Sequence, residues 1–211
     1  GVYEAKELHG VFEAREIHGV YEARELHGVY DAKDLHGVYE AREIHGVYAA
    51  KEIHGVYEPR EIHGVYTAGE IHGVYEPREI HGVYEPKELH GVFEARELHG
   101  AYDAKELHNV YTADEMIGGG YDGGEMHAGG WPADELHGHY PADKLKGSYT
   151  AEELSQGQYD VREVHAGQYT LHDMKPAFSL PELATVFSLE ELKQEFSVAE
   201  LMAAGLVEEE P

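Results

Sequence analysis

Along the chain an aromatic residue returns every nine or ten positions and an aliphatic one follows it five positions later. The pattern runs from Tyr3 and Leu8, Phe12 and Ile17, to Phe187 and Leu192, Phe196 and Leu201. All 16 Tyr, all five Phe and the one Trp fall at this single phase, so the whole chain is one array. Its unit is Gly-Val-Tyr-Glu-Ala-Lys/Arg-Glu-Leu/Ile-His, first seen at Gly1 to His9 and nearly unchanged up to His108. A period this short lets each unit meet only its neighbours, so the pattern predicts a tandem array rather than one or two globular domains.

With Gly1 as position 1, position 4 carries a helix N-cap residue in many units: Asp31, Thr67, Asp103, Thr112, Asp122, Thr150, Asp160, Thr170, Ser179, Ser188 and Ser197. Position 7 is usually Glu, which is the spacing of a reciprocal capping box. The aromatic at position 3 and the aliphatic at position 8 are then the two partners of a hydrophobic staple. Where Glu stands at position 4 instead, it keeps negative charge at the positive helix end. Proline fits the same frame. It occupies position 4 (Pro132, Pro141), position 5 (Pro59, Pro77, Pro86) and position 6 (Pro181), where the backbone N–H has no partner within the helix. The His at position 9 lies where a cation complements a helix C-terminus, and the Gly after it where a left-handed residue stops the helix.

The expected fold is therefore an all-α tandem-repeat solenoid, with one short capped helix and an extended Gly-Val-Tyr connector per unit. One continuous α-helix is excluded, because a Gly in almost every unit and Pro in several would cost about 1 and 3 kcal/mol each against Ala. The alternative is a β-solenoid, since calcium-binding β-rolls also repeat every nine residues; those use paired Gly and Asp at set phases, whereas this unit has one Gly and mostly Glu. Burying Val, the aromatic and Leu of one unit falls short of the entropy of ordering it, so stability must come from stacking. Leu and Ile alternate irregularly at position 8, so the sequence fixes neither the number of units per turn nor the hand.

Four regions follow: a regular array over 1–108, Gly-rich irregular repeats over 109–130, divergent repeats over 131–175, and terminal repeats with a cap over 176–211. Seven Gly between Thr112 and Gly130 make the second region the candidate for a bend or a weak coil. In the last, Met202 to Val207 reads as an apolar closure and Glu208 to Pro211 as a charged tail, with helices there free to run longer. Units such as Gln168-Tyr169-Thr170-Leu171 and Phe187-Ser188-Leu189-Glu190-Glu191-Leu192 resemble a loose class of nine- and ten-residue tandem repeats of the form aromatic-Ser/Thr-x-x-Glu-Leu. That resemblance implies a repeat architecture and no particular activity.

With 42 acidic against 16 basic residues the formal charge is -26, which disfavours nucleic acid and anionic lipid as partners. No cysteine is present, so thiol chemistry and disulfides are excluded. No apolar run approaches the roughly 18 residues of a spanning helix. The chain starts in phase with a repeat and without Met, as a processed or excerpted segment would.

The most suggestive chemistry is in the His residues. His9, His18, His27, His36, His45, His54, His63, His72, His81, His90, His99 and His108 recur at strict nine-residue intervals. Stacked on one edge, they would form an imidazole ladder that, with Glu of adjacent units, could bind Zn, Cu or Ni. The plainer expectation is a helix-end residue with little charge near neutrality. Calcium could use the Glu4 and Glu7 equivalents, but there is no Asp-rich loop. Tyr at position 3 reads as core, and Lys or Arg at position 6 as a solvated mixed-charge face.

No catalytic residue or cofactor site stands out from the repeat. The sequence thus points to a non-enzymatic acidic solenoid, a structural, spacer or protein-interaction scaffold that binds a protein partner or associates with itself through repeated faces. The alternatives are a metal-loaded His array and an acidic mimic of nucleic acid that occupies a basic protein groove. Free imidazole titrates near about pH 6.5. Protonating all 17 His would bring the formal charge from -26 to about -9 and remove most of the self-repulsion. Light scattering followed from pH 7.5 to pH 5.5 should therefore rise for this chain and stay flat for a version with Gln at every His position.

Overall fold

The computed structural model describes residues 3–208. Gly1 and Val2, and Glu209, Glu210 and Pro211 of the charged tail, lie outside the described residues. Among the described residues the chain forms 22 helices of four to seven residues and no strand, one helix per unit from Ala5–Leu8 to Val198–Ala203. This is an all-α tandem repeat, and the β-solenoid alternative is corrected. Positions 5 to 8 coil because their N-cap, proline and charge placement all favour a helix start, whereas a strand would need period-two alternation.

Helix starts follow the predicted chemistry in two versions. Thr67, Thr112, Asp122, Thr150, Asp160, Thr170, Ser188 and Ser197 accept a hydrogen bond from the N–H three residues on, and the acid at that residue accepts the cap N–H in return. Asp31, Asp103 and Ser179, expected to do the same, make no such side-chain cap bond. In most units of the first hundred residues only half of the box forms. The position 7 carboxylate accepts the cap N–H, as Glu43 does from Glu40 at 2.7 Å, while its own N–H turns to the Glu40 backbone carbonyl at 2.9 Å. Pro59, Pro77 and Pro86 are first helical residues, Pro181 is a second, and Pro132 and Pro141 are N-caps.

The connector is a tight turn rather than the extended segment expected. The His after each regular helix has φ near -60° and ψ near 133°, and the next Gly is left-handed, with Gly55 at φ 79°. These are the central angles of a type II turn, in which the second central residue needs positive φ. The Ile53 carbonyl closes it, accepting from Val56 at 3.0 Å and from Tyr57 at 2.9 Å. Leu8, Ile17 and each counterpart up to Leu107 thus hold the helix end and the turn with one oxygen.

The chain divides into two compact units, Gly1–Tyr102 and Asp103–Pro211. In the first, each helix packs against the helix two units away, Ala5–Leu8 on Ala23–Leu26 and Ala14–Ile17 on Ala32–Leu35. Two units, 18 residues, therefore make one coil. Tyr hydroxyls mark this spacing: Tyr48 donates to the Tyr30 carbonyl at 2.8 Å, Tyr57 to Tyr39 at 2.9 Å and Tyr66 to Tyr48 at 2.8 Å. The position 8 aliphatics are fully buried from Leu26 onward, with position 3 aromatics and position 5 alanines around them. Position 2 was expected in the core, but Val29 and its followers are only half-buried and Ala takes that place.

The second compact unit keeps the two-unit coil while its units lengthen. Tyr149 reaches the Trp131 carbonyl 18 residues back, Tyr159 reaches Tyr140 at 19 and Tyr169 reaches Tyr149 at 20. The Trp131 indole N–H donates to the Ala104 carbonyl at 3.0 Å. The Gly-rich stretch expected to be a weak coil contains two of the longer helices, Ala113–Gly119 and Gly123–Ala128. Helices also lengthen at Leu189–Glu195 and Val198–Ala203, as expected near the end, but Leu180–Leu183 stays at four residues.

Glycines in this unit mark close approach. The six-residue helix Ala151–Gln156 ends at Gly157, where a Cβ would lie 2.6 Å from the Ala133 carbonyl carbon and 2.8 Å from the Asp134 nitrogen. Gly129 and Gly167 sit in the same way against Ala104 and Ala142. Gly118, within a helix, has open space around it. Gly157→Ala should therefore destabilise by about 1–3 kcal/mol through overpacking. Gly118→Ala should stabilise by roughly 0.5–1 kcal/mol through helix propensity. Urea unfolding of the two variants checks the contrast.

Candidate functional site

The turn places each His of the regular array beside the next coil. His18 sets its ring edge-on to Tyr39, with centroids 4.5 Å apart and planes at 85°, and its Nε2 lies 3.2 Å from Glu43 Oε1. His27 meets Tyr48 and Glu52, His36 meets Tyr57 and Glu61, and His45 meets Tyr66 and Glu70. His54 faces Tyr75 and Glu79, His63 faces Tyr84 and Glu88, and His72 faces Phe93 and Glu97. His81 packs on Tyr102. His90 and His99 hold the same turn position and backbone angles.

In the second unit His108 stacks on Trp131 with Glu135 at 3.1 Å, and His127 and His137 repeat the pattern on Tyr149 with Glu153 and Tyr159 with Glu163. The rung is thus imidazole, aromatic and carboxylate, from position 9 of one coil to positions 3 and 7 of the next. His9 packs on Tyr30 but makes no hydrogen bond to the shorter Asp34.

The carboxylate at position 7 has two tasks. Glu70 accepts the Thr67 N–H and hydroxyl on Oε2, both at 2.8 Å, and takes the His45 Nε2 on Oε1 at 2.8 Å. One side chain therefore caps its own helix and holds the preceding coil. Because an ionised carboxylate only accepts, the Nε2 facing it carries the proton. Glu70 is held below the ordinary carboxylate range, first by the Thr67 N–H, against some opposing burial, and further by the Thr67 hydroxyl and His45. Glu52 is lowered in the same way by the Ala49 N–H and then by His27. Burial, with Glu52 adding to it, pushes the Tyr48 phenol up to about 12, and burial raises Tyr57 and Tyr66 to the same value.

The imidazole ladder expected from sequence is consequently a ladder of imidazole–carboxylate pairs. The ring also turns to the next coil, where the sequence suggested a role at its own helix end. Among the described residues no three His, Asp or Glu side chains gather in a geometry that could hold a metal ion. Of the acids considered for calcium, Glu4 is paired with Lys6 at 2.6 Å and Glu7 with the Glu4 N–H at 2.8 Å. Lys and Arg at position 6 reach back to position 4 in exposed pairs such as Arg24 with Glu22, as the solvated face required.

Sequence reasoning missed the carboxylate partners and the phenolic hydrogen bonds. Both depend on residues 18 to 27 positions apart, a spacing visible only once two units are known to close a coil. Two departures from the rung are also informative. At the His position Lys146 sits 5.8 Å over the Tyr169 ring and Lys175 4.5 Å over the Phe196 ring, so a cation against an aromatic serves where imidazole is absent.

Shallow notches open beside the rungs; the one lined by His27, Tyr30, Asp31, Tyr48 and Glu52 has a volume of about 320 Å³. No buried side-chain nitrogen or oxygen among the described residues lacks a hydrogen-bond partner. Among the described residues no helix is long and apolar enough to cross a membrane. The chain matches no protein-family model, no curated protein and no solved structure.

Lowered carboxylates have a signed consequence. A group whose folded pKa is depressed contributes stability above its unfolded value, about 4.3 for Glu, and loses it as pH falls through the folded value. The urea midpoint should therefore fall steeply below pH 4.5. Glu70→Gln keeps the cap acceptor but loses the charge, so it should cost roughly 0.5–1 kcal/mol at pH 7 and flatten the acid limb, as read from urea melts at pH 3.5 to 7.

Proposed function

We propose that this protein is a non-enzymatic solenoid whose work is mechanical and multivalent: an acidic spacer or interaction scaffold presenting one face many times over. The observation that carries this reading is the repetition of the His–aromatic–carboxylate rung. At seven successive units, from His18 to His72, the same three groups meet with nearly the same distances. A catalytic site is a local exception to a fold, with a perturbed group in a cleft. Here the ionisable side chains serve cap and stack in the same way at every step, which supports a structural role.

The solvated surface of most units in the first hundred residues carries Glu or Asp at positions 4 and 7 around one Lys or Arg, so the face repeated there is acidic with basic interruptions. A partner that reads it would gain through many weak equivalent contacts rather than one strong one. The array equally suits self-association through the same face.

Shortening tests the reading. Deleting Gly37 to His54 removes one whole coil and leaves the stacking register intact, so helicity per residue by circular dichroism should be unchanged. Retention of the protein on a surface coated with its partner, or on a dense layer of its own copies, should fall by more than the lost fraction of length, because avidity is multiplicative. Retention that is independent of length would rule out the multivalent role.

A further inference from the structure

Because helices of the regular array stack on helices two units away, odd and even units form two separate columns, and their surfaces differ. In one column position 6 is Arg24, Arg42, Arg60, Arg78 and Arg96, five guanidiniums at 18-residue intervals, and position 4 is Glu in every one of those units. In the other, position 6 reads Lys33, Lys51, Gly69 and Lys87, and position 4 reads Asp31, Ala49, Thr67 and Glu85. Folding does not account for the difference. The units of Ala49 and Thr67 keep the helices Ala50–Ile53 and Ala68–Ile71 and the rungs His27–Glu52 at 3.0 Å and His45–Glu70 at 2.8 Å without a Glu–Arg pair. Nor does Glu in the Arg column cap its helix, for none of these side chains makes a cap bond. The pairs stand in solvent: Arg24 lies 2.7 Å from Glu22 and Arg42 2.6 Å from Glu40, with at least 65% of each side chain exposed.

We propose that the Arg column is the face through which the array pairs with a second copy of itself, Arg row against Glu row. This rests on the scaffold role and names its face and its partner. The argument is charge complementarity at a shared step. A guanidinium has five N–H donors, so its pair within the unit leaves donors open to solvent, and the Glu beside it has lone pairs to spare. Facing columns with the rows exchanged therefore add a partner's carboxylate to each guanidinium at every coil without breaking the pairs already present. A twofold operation produces that exchange, so the contact is self-complementary. A uniformly basic partner would meet the Arg row, and a uniformly acidic one the Glu row, as a like charge at every step. A surface must have the same coil repeat to stay in step over five coils, and a second copy carries it. The Lys column does not serve, since Ala49, Thr67 and Gly69 break both rows and an ammonium lacks the planar fork that grips a carboxylate with two parallel bonds. The formal charge of -26 opposes approach, but at about 0.15 M salt that repulsion is screened beyond roughly 8 Å while pairs in contact persist.

Sedimentation equilibrium of the full chain at pH 7 and about 0.15 M salt, over a wide range of concentration, tests the pairing. Two variants accompany it, one with Arg42→Gln, Arg60→Gln and Arg78→Gln, the other with Lys33→Gln, Lys51→Gln and Lys87→Gln. Both lose the same charge and leave the core untouched. The average mass of the unaltered chain should climb toward that of a pair as concentration rises. The Arg variant should pair at least about tenfold more weakly than the Lys variant, because each substituted residue counts twice in a twofold contact. A chain that stays monomeric at every concentration overturns the proposal, while the scaffold role keeps its own test in the retention of the shortened array. Equal weakening by the two variants also overturns it, since net charge rather than the Arg column would then govern association. Circular dichroism confirms that both variants are folded, so loss of pairing is not loss of fold.

Discussion

A helix of four residues has no stability of its own in water, since nucleation fixes several residues for a single hydrogen bond. Everything in this molecule follows from coil-on-coil burial that makes such helices persist. The position 8 aliphatic lies at the centre of each coil, fully excluded from water, with the aromatic and the alanine of the unit around it. Its carbonyl also closes the turn, so the residue that drives burial fixes the chain reversal as well. Backbone and core are therefore specified by one position, which explains why Leu, Ile, Met and Val are the only residues found there.

Polar groups then convert burial into register. Tyr could bury its ring at many heights, but its hydroxyl must find an acceptor once covered, and the carbonyl one coil back is the acceptor every time it is seen in the first unit. The position 7 carboxylate does the corresponding job at the surface by joining its own N-cap to the preceding turn's imidazole. Apolar contact supplies the stability, and these bonds supply the exact height at which one coil rests on the next. Phe at position 3, as in the buried Phe93, keeps the first contribution and gives up the second.

How much of this was legible depended on distance along the chain. Helix starts, proline placement, the left-handed Gly and the buried aromatics are local features, and the sequence displays them directly. Asp31 and Asp103 looked like side-chain caps and make no such bond; there, as at Glu40, the position 7 N–H goes to the backbone carbonyl of position 4. Coil size was invisible for a different reason: both helices of a coil bury the same unit, so no alternation in the core distinguishes them. Hence the His partners, 25 residues away, could not be named, and neither could the reason for Gly157, whose neighbour Ala133 lies a coil earlier. Glycine was read as looseness where it allows contact.

Sameness of the buried residues in the two helices of a coil has a consequence for heredity. Losing or gaining a single unit within the first hundred residues sends the following regular helices to the opposite flank, yet each still finds a neighbour of nearly the same sequence, so the regular stack closes again without a misfit. An array of this kind can therefore change length in steps of one block of codons without disturbing the contacts between neighbouring regular coils. Arrays whose coils contain two different helices lack this freedom, because only even steps preserve their register.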